Sequence, residues 1–128
     1  MIAGQGTIGL EILKQAPDVD AVIVPIGGAG LVAGVSLALK TLAPGIKIIG
    51  VEPECAPSFT AAMKAGEPVR VAVRPTLADG LAVSCVGARA FSIARRLVDQ
   101  HIQVTERHIA LATLRLLELE KLDYDKQT

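Results

Sequence analysis

The sequence has no tryptophan, one tyrosine and two phenylalanines in 128 residues. A core without aromatic bulk must close on aliphatic side chains, and 51% of the chain is hydrophobic, chiefly Ala, Val, Leu and Ile. That composition suits a parallel sheet covered by helices. Cysteine is nearly absent. Cys55 and Cys85 stand far apart, match no metal-ligand spacing, and read as two reduced thiols of a cytoplasmic protein. Charge of one sign is missing as well: thirteen basic and thirteen acidic residues cancel, with no dense basic patch for nucleic acid. No apolar run reaches the roughly 18–20 residues of a membrane span, since Lys40 and Lys47 interrupt the longest candidate. The N-terminus lacks a basic segment followed by an apolar core, so no signal peptide is read there. Mean hydropathy is +0.47, high for so short a chain. A small domain buries only part of its unfolded surface. The expectation is therefore a piece of a larger core, or a homo-oligomer.

What is present alternates between helical and extended patterns. "TIGLEILKQAP" predicts a helix from Thr7, with Ile8 and Ile12 on one face and Pro17 as its stop. "DAVIVPI" is a β-branched run of the kind buried on both faces of a sheet. "GLVAGVSLALKTLAP" predicts a helix ending before Pro44 and Gly45, and "IKIIGVEP" predicts the next strand, with Gly50 weakening its middle. A strand, a helix and a strand in that order predict two parallel strands with a right-handed crossover. "APSFTAAMKAG" reads as a short helix closed by Gly66, and Glu67 to Gly80 as loop. "ARAFSIARRLVDQH" places Phe91, Ala94, Leu97 and Val98 on one helical stripe. "IQV" is a short strand. Thr105 caps a last helix, Glu106 to Leu122, and Glu106 suits its dipole. The tail "DYDKQT", residues 123–128, is polar.

The densest glycine lies where the first strand meets its helix, in "PIGGAGLVAG". Glycine admits positive φ and leaves backbone bare for a ligand. At the carboxyl end of a parallel strand, a turn into a helix points free N–H groups outward with the helix dipole behind them. Gly27, Gly28, Ala29 and Gly30 thus form a candidate cradle for one phosphate. An ordinary φ at Ala29 would leave its N–H pointing the same way. No Gly-Lys-Ser/Thr follows, which excludes a P-loop. A dinucleotide reading stays open: Gly28-Ala29-Gly30 with Ala33 approximates G-x-G-x-x-G/A, and Glu52 stands about twenty positions on. A tight turn without a ligand is the third reading.

Five stretches occur in the order and spacing of a known family: "IAGQGTIGLEIL", "DAVIVPIGGAGLVAG", "VEPECA", "LADGLAV" and "QVTERHI". The chain resembles the threonine/serine dehydratase and serine racemase family, fold type II pyridoxal phosphate enzymes related to the tryptophan synthase β subunit. The resemblance runs from Ile2 to about Leu122 and covers the C-terminal part of the family's large domain. It implies an α/β fold, an open parallel-sheet, three-layer αβα piece of a tryptophan synthase β-like structure, with residues 1–122 as a partial cofactor domain. It also implies that Gly27, Gly28, Ala29, Gly30 and Leu31 give backbone N–H groups to the phosphate of pyridoxal 5′-phosphate. Gly80 would lie beside the pyridine ring; read alone, it is equally a turn glycine. Racemase-like members bind a divalent cation through the Glu of "VEP", a carbonyl four residues on and an Asp two further. Here those positions are Glu52, Ala56 and Ser58. With the Asp missing, Glu52 and Ala56 are a thin shell for Mg²⁺ or Ca²⁺ unless water completes it. The alternative is a strand-end carboxylate that only hydrogen-bonds.

The family's Ser-x-Lys-x-Arg-type segment, whose lysine bonds to the cofactor, does not occur in this sequence, and neither does its Ser-Gly-Asn-type loop for the substrate carboxylate. Lys14, Lys40, Lys47, Lys64, Lys121 and Lys126 all lack that setting, so no catalytic residue is assigned. The resemblance implies a fragment of an L-threonine/L-serine ammonia-lyase, inactive alone, or equally of a serine racemase, acting on a small amino acid. A reading of another class is a non-catalytic fragment that associates with a missing part of its fold.

Overall fold

The structure is a computed structural model that describes residues 1–119. The polar tail, the end of the last helix at Leu122, Lys121 and Lys126 lie outside the described residues. The elements are α1 (Ile2–Gln15), β1 (Ala21–Pro25), α2 (Gly30–Leu42), β2 (Lys47–Pro53), α3 (Ser58–Ala65), a 3-10 turn (Asp79–Leu81), α4 (Ala88–Leu97), β3 (Gln100–Val104) and α5 (Glu106–Leu119). The three strands pair in the order β1-β2-β3, all parallel, with Ala21 opposite Lys47 and Ile49 opposite Gln100. The parallel sheet read from the sequence is present. No helix among the described residues is long and apolar enough to cross a membrane.

Alternation along the strands sorts side chains onto two faces. Val24, Ile48 and Glu52 point to the covered face, where they meet Val32, Val35 and Leu39 of α2, Phe59 and Ala62 of α3, and Phe91 and Ala94 of α4. The rings of Phe59 and Phe91 meet edge to face with centroids 6.0 Å apart, the aromatic centre of an otherwise aliphatic core. The opposite face is bare. Ile23 is 68% exposed and Ile102 40% exposed; Ile49 lies opposite Ile23, and Pro25 and Val51 line up with Ile102 in the next row. The β-branched run of β1 implied burial on both faces; among the described residues only one is covered. α5 contributes no buried residue.

Several boundaries differ from the sequence reading. α1 begins at Ile2 rather than Thr7 because its first turns, at Ile2 and Gly6, pack against α2. Gly34 of α2 approaches so closely that a β-carbon there would lie 2.4 Å from the Ile2 carbonyl oxygen and 2.8 Å from the Gly6 nitrogen. This tertiary contact overrides the weak helix propensity of Gly4 and Gly6. α4 ends at Leu97, and Val98 is extended, because Asp99 starts the β3 ladder. The Asp99 N–H donates to the Ile48 carbonyl at 3.0 Å, and its carboxylate accepts the Ile48 N–H at 2.7 Å. The third difference lies in the loop before Gly80, which ends in the 3-10 turn rather than running straight through. With α4 ended at Leu97, β3 starts at Gln100 rather than at the Ile102 of the "IQV" reading; Gly66 closes α3 as read, in the left-handed conformation, φ 81°.

Candidate functional site

β1 delivers the chain to the carboxyl end of the sheet, where Ile26 donates its N–H to the Val51 carbonyl at 2.8 Å. Gly27 and Gly28 then turn the backbone, and Ala29 is the N-cap of α2. The turn differs from the sequence reading in one informative way. The positive φ falls on Ala29, at 70°, and none of the surrounding glycines has one. An alanine in the left-handed region is strained by about 1–2 kcal/mol. The surroundings hold it there: Ala29 is 2% exposed. A left-handed residue leading into helical ones turns successive N–H groups to one side and makes an anion concavity. Gly28 and Gly30 serve by lacking a β-carbon. One added to either would meet nothing within 4 Å, so the space over the backbone is open.

The start of α2 has the electrostatics of an anion site. Its first intrahelical bond runs from the Ala33 N–H to the Ala29 carbonyl, 3.0 Å, leaving the N–H groups of Gly30, Leu31 and Val32 ahead of it. No side chain caps this end and no acidic residue lies in the first turn. Two other segments close in. The Gly87 N–H donates to the Gly28 carbonyl at 3.1 Å, setting the start of α4 beside the start of α2. A β-carbon on Gly27 would lie 3.6 Å from the Gly80 carbonyl oxygen and 3.4 Å from Leu81 Cα. Gly27, Gly28, Ala29, Gly30, Leu31 and Gly80 are therefore brought together, although Gly80 is some fifty positions away in sequence. Gly87 was not singled out from the sequence; a glycine directly before a helical run was the available mark.

Glu52 and Ala56 occupy a separate place. Glu52 is fully buried. One carboxylate oxygen accepts the Phe59 N–H at 2.9 Å; the other accepts the Thr60 N–H at 2.9 Å and the Thr60 hydroxyl. Glu52 is thus the cap of α3, which also removes the acidic residue that a dinucleotide ribose would need. Ala56 is 1% exposed, and the nearby Ser58 hydroxyl is buried with no hydrogen-bond partner among the described residues. No group of three or more His, Cys, Asp or Glu side chains suited to a metal ion occurs among the described residues. Cys55 and Cys85 are unpaired, and burial pushes the Cys55 thiol up, against the pull of the Arg74 guanidinium. Lys40 is engaged at the far end of α2, in a 2.7 Å ion pair with Asp99.

Residues 1–127 match the family described as pyridoxal-phosphate dependent enzyme. The chain is 49% identical over 122 residues to an L-threonine ammonia-lyase of Thermotoga maritima, covering 95% of this chain and 30% of that protein. It is similar to the solved T.th. threonine deaminase, with a TM-score of 0.89 and 40% identity over 94% of this chain and 45% of the other. Maize serine racemase gives a TM-score of 0.91 and 38% identity over 97% of this chain and 39% of the other. The chain spans less than half the length of each of these relatives.

Proposed function

The chain belongs to the family of pyridoxal-phosphate dependent enzymes, and on that premise we propose that it is a piece of an L-threonine or L-serine ammonia-lyase that cradles the cofactor phosphate. The observation that carries the reading is Ala29, held buried at φ 70° before an uncapped helix and flanked by glycines with open space above them. Strain of this kind persists where a site requires it. Backbone N–H groups from Gly27 to Leu31 would hold the phosphate dianion, and the α2 dipole would favour it. Gly80, packed beside Gly27, would flank the remainder of the group. When bound, pyridoxal phosphate supplies an electron sink for a substrate Cα carbanion. The contribution of this chain is binding and orientation, which fix where that sink sits. The bare sheet face, with Ile23 and Ile102, is on this reading the surface that joins the piece to the rest of its fold.

A pyridoxal phosphate titration followed by absorbance, with inorganic phosphate as competitor and borohydride reduction at the end, tests the reading. Binding that is non-covalent and displaced by phosphate supports the cradle. A stable reduced adduct on one lysine would show that a lysine of this chain bonds to the cofactor, and no binding would remove the site. The 128-residue chain by itself is expected to form no 2-oxobutanoate from threonine.

The reading has a second part, a divalent cation beside Glu52 and the Ala56 carbonyl. Its support is the Ser58 hydroxyl, since a buried polar atom without a partner costs about 1–3 kcal/mol. Water would fill most of a shell of six or more oxygens. Calorimetric titration with Mg²⁺ or Ca²⁺ decides it. Binding that Ser58→Ala weakens supports the site, and no heat at millimolar cation ends it.

A further inference from the structure

Glu106 begins α5, but its side chain reaches away from that helix. Oε2 accepts the Leu77 N–H at 2.8 Å, and Oε1 accepts the Thr76 hydroxyl. Thr76 Oγ1 in turn accepts the Ala78 N–H at 3.1 Å. Ala78 starts the 3-10 turn: its carbonyl accepts the Leu81 N–H at 2.9 Å. The far side of that turn is the wall that Gly80 and Leu81 present to Gly27. An unbroken run of hydrogen bonds and contacts therefore links the Glu106 carboxylate to the cradle. Between α3 and α4 the chain has no strand or α-helix to stiffen it. Its other anchors include the Arg74 N–H on the Cys55 carbonyl and the Val71 N–H on the Ser84 carbonyl, both 2.9 Å, and the Gly87 N–H on the Gly28 carbonyl at 3.1 Å; none of these holds the Asp79–Leu81 turn itself.

α5 does not need Glu106 for its own start. Thr105 Oγ1 accepts the His108 N–H at 3.2 Å and caps the helix. The Thr76 hydroxyl and Leu77 N–H hold the Glu106 carboxyl below the usual carboxylate range. Both bonds are thus made to a charged acceptor, the stronger kind.

We propose that Glu106 is a positioning residue for the candidate site, pinning the Asp79–Leu81 turn against Gly27 so that the wall beside the phosphate cradle stays in place. The inference rests on the reading of that cradle given above, and the test separates the two. On the full-length protein, Glu106→Ala is compared with wild type by amide hydrogen exchange and by two affinities, for pyridoxal phosphate and for inorganic phosphate. Exchange at Leu77 and Leu81 is expected to rise about tenfold while Val35 in α2 is unchanged. Affinity for pyridoxal phosphate should fall about tenfold, and that for inorganic phosphate by less than about twofold, because only the larger ligand reaches the wall. Glu106→Gln keeps an acceptor for Leu77 and should recover most of both effects. Unchanged exchange at Leu81, or equal loss of both affinities, overturns the inference. Should the alanine variant not fold, Thr76→Val removes the hydroxyl from the same link and is read by the same ratios. If wild type binds neither ligand, the cradle reading fails, while the exchange data still decide whether Glu106 pins the turn.

Discussion

Two strand-to-helix turns lie side by side at the carboxyl end of the sheet, and they treat the same problem in opposite ways. Each helix start presents N–H groups with no partner inside the helix. At the β2–α3 turn the chain supplies its own anion: Glu52 is buried beneath α3 and takes the Phe59 and Thr60 N–H groups. At the β1–α2 turn no side chain caps the helix, a strained alanine is held at its first step, and two glycines leave the approach clear. The internal carboxylate shows what such a terminus binds; the neighbour keeps the same donors for an anion from outside.

The largest expected effect comes from emptying the filled turn. Glu52→Ala leaves buried N–H groups without an acceptor and a cavity beneath α3, and should cost about 3 kcal/mol or more, read from the urea midpoint. A cost no greater than that of a surface substitution would break the comparison. Next is Gly28→Asp, which places an internal carboxylate at the open turn. It meets nothing within 4 Å and demands no positive φ, so the fold should survive. Phosphate and pyridoxal phosphate affinity should drop on the order of a hundredfold from like-charge repulsion. Unchanged binding would place the site elsewhere. Ala29→Gly is subtler and should raise stability by about 0.5–1 kcal/mol, since glycine carries no penalty at φ 70°. A loss of stability there would mean that the methyl group packs better than the strain costs.

The smallest effect is on acid sensitivity, which arises at two carboxylates outside the turns themselves. The Lys40 ammonium and Ile48 N–H hold the Asp99 carboxyl below its usual range, and Thr76 and Leu77 do the same for Glu106. For a depressed carboxyl the stabilisation is complete above the ordinary range near pH ~4 and is lost as pH falls through the lower folded-state value. Urea midpoints should therefore decline in that acid window, and Asp99→Asn should flatten the decline. An unaltered pH profile in the variant would remove Asp99 as a source.

Much of the fold was legible because it follows short-range rules. β-branched runs marked β1 and β2, prolines and Gly66 marked the stops, and their order implied parallel pairing. The cradle was legible for the same reason, as consecutive residues at one junction. Contacts between distant residues were not legible. α1 was read short because Gly4 and Gly6 look like poor helix formers until Gly34 is seen pressed against Gly6 and the Ile2 carbonyl. α4 was read long because Asp99 binds Ile48, fifty-one positions away. Glu106 was read as a favourable charge on its own helix, whereas its side chain serves the loop before Gly80.

The sequence by itself determined the elements, the parallel sheet and the location of the glycine turn, since periodicity, β-branching and glycine act within a few residues of themselves. Only the tertiary structure decided which residue of that turn takes the strain and which helix start is filled from within. It also decided which face of the sheet is covered by this chain. Those outcomes depend on whether a distant carboxylate, carbonyl or helix arrives in the same space, and local propensity holds no information about such arrivals.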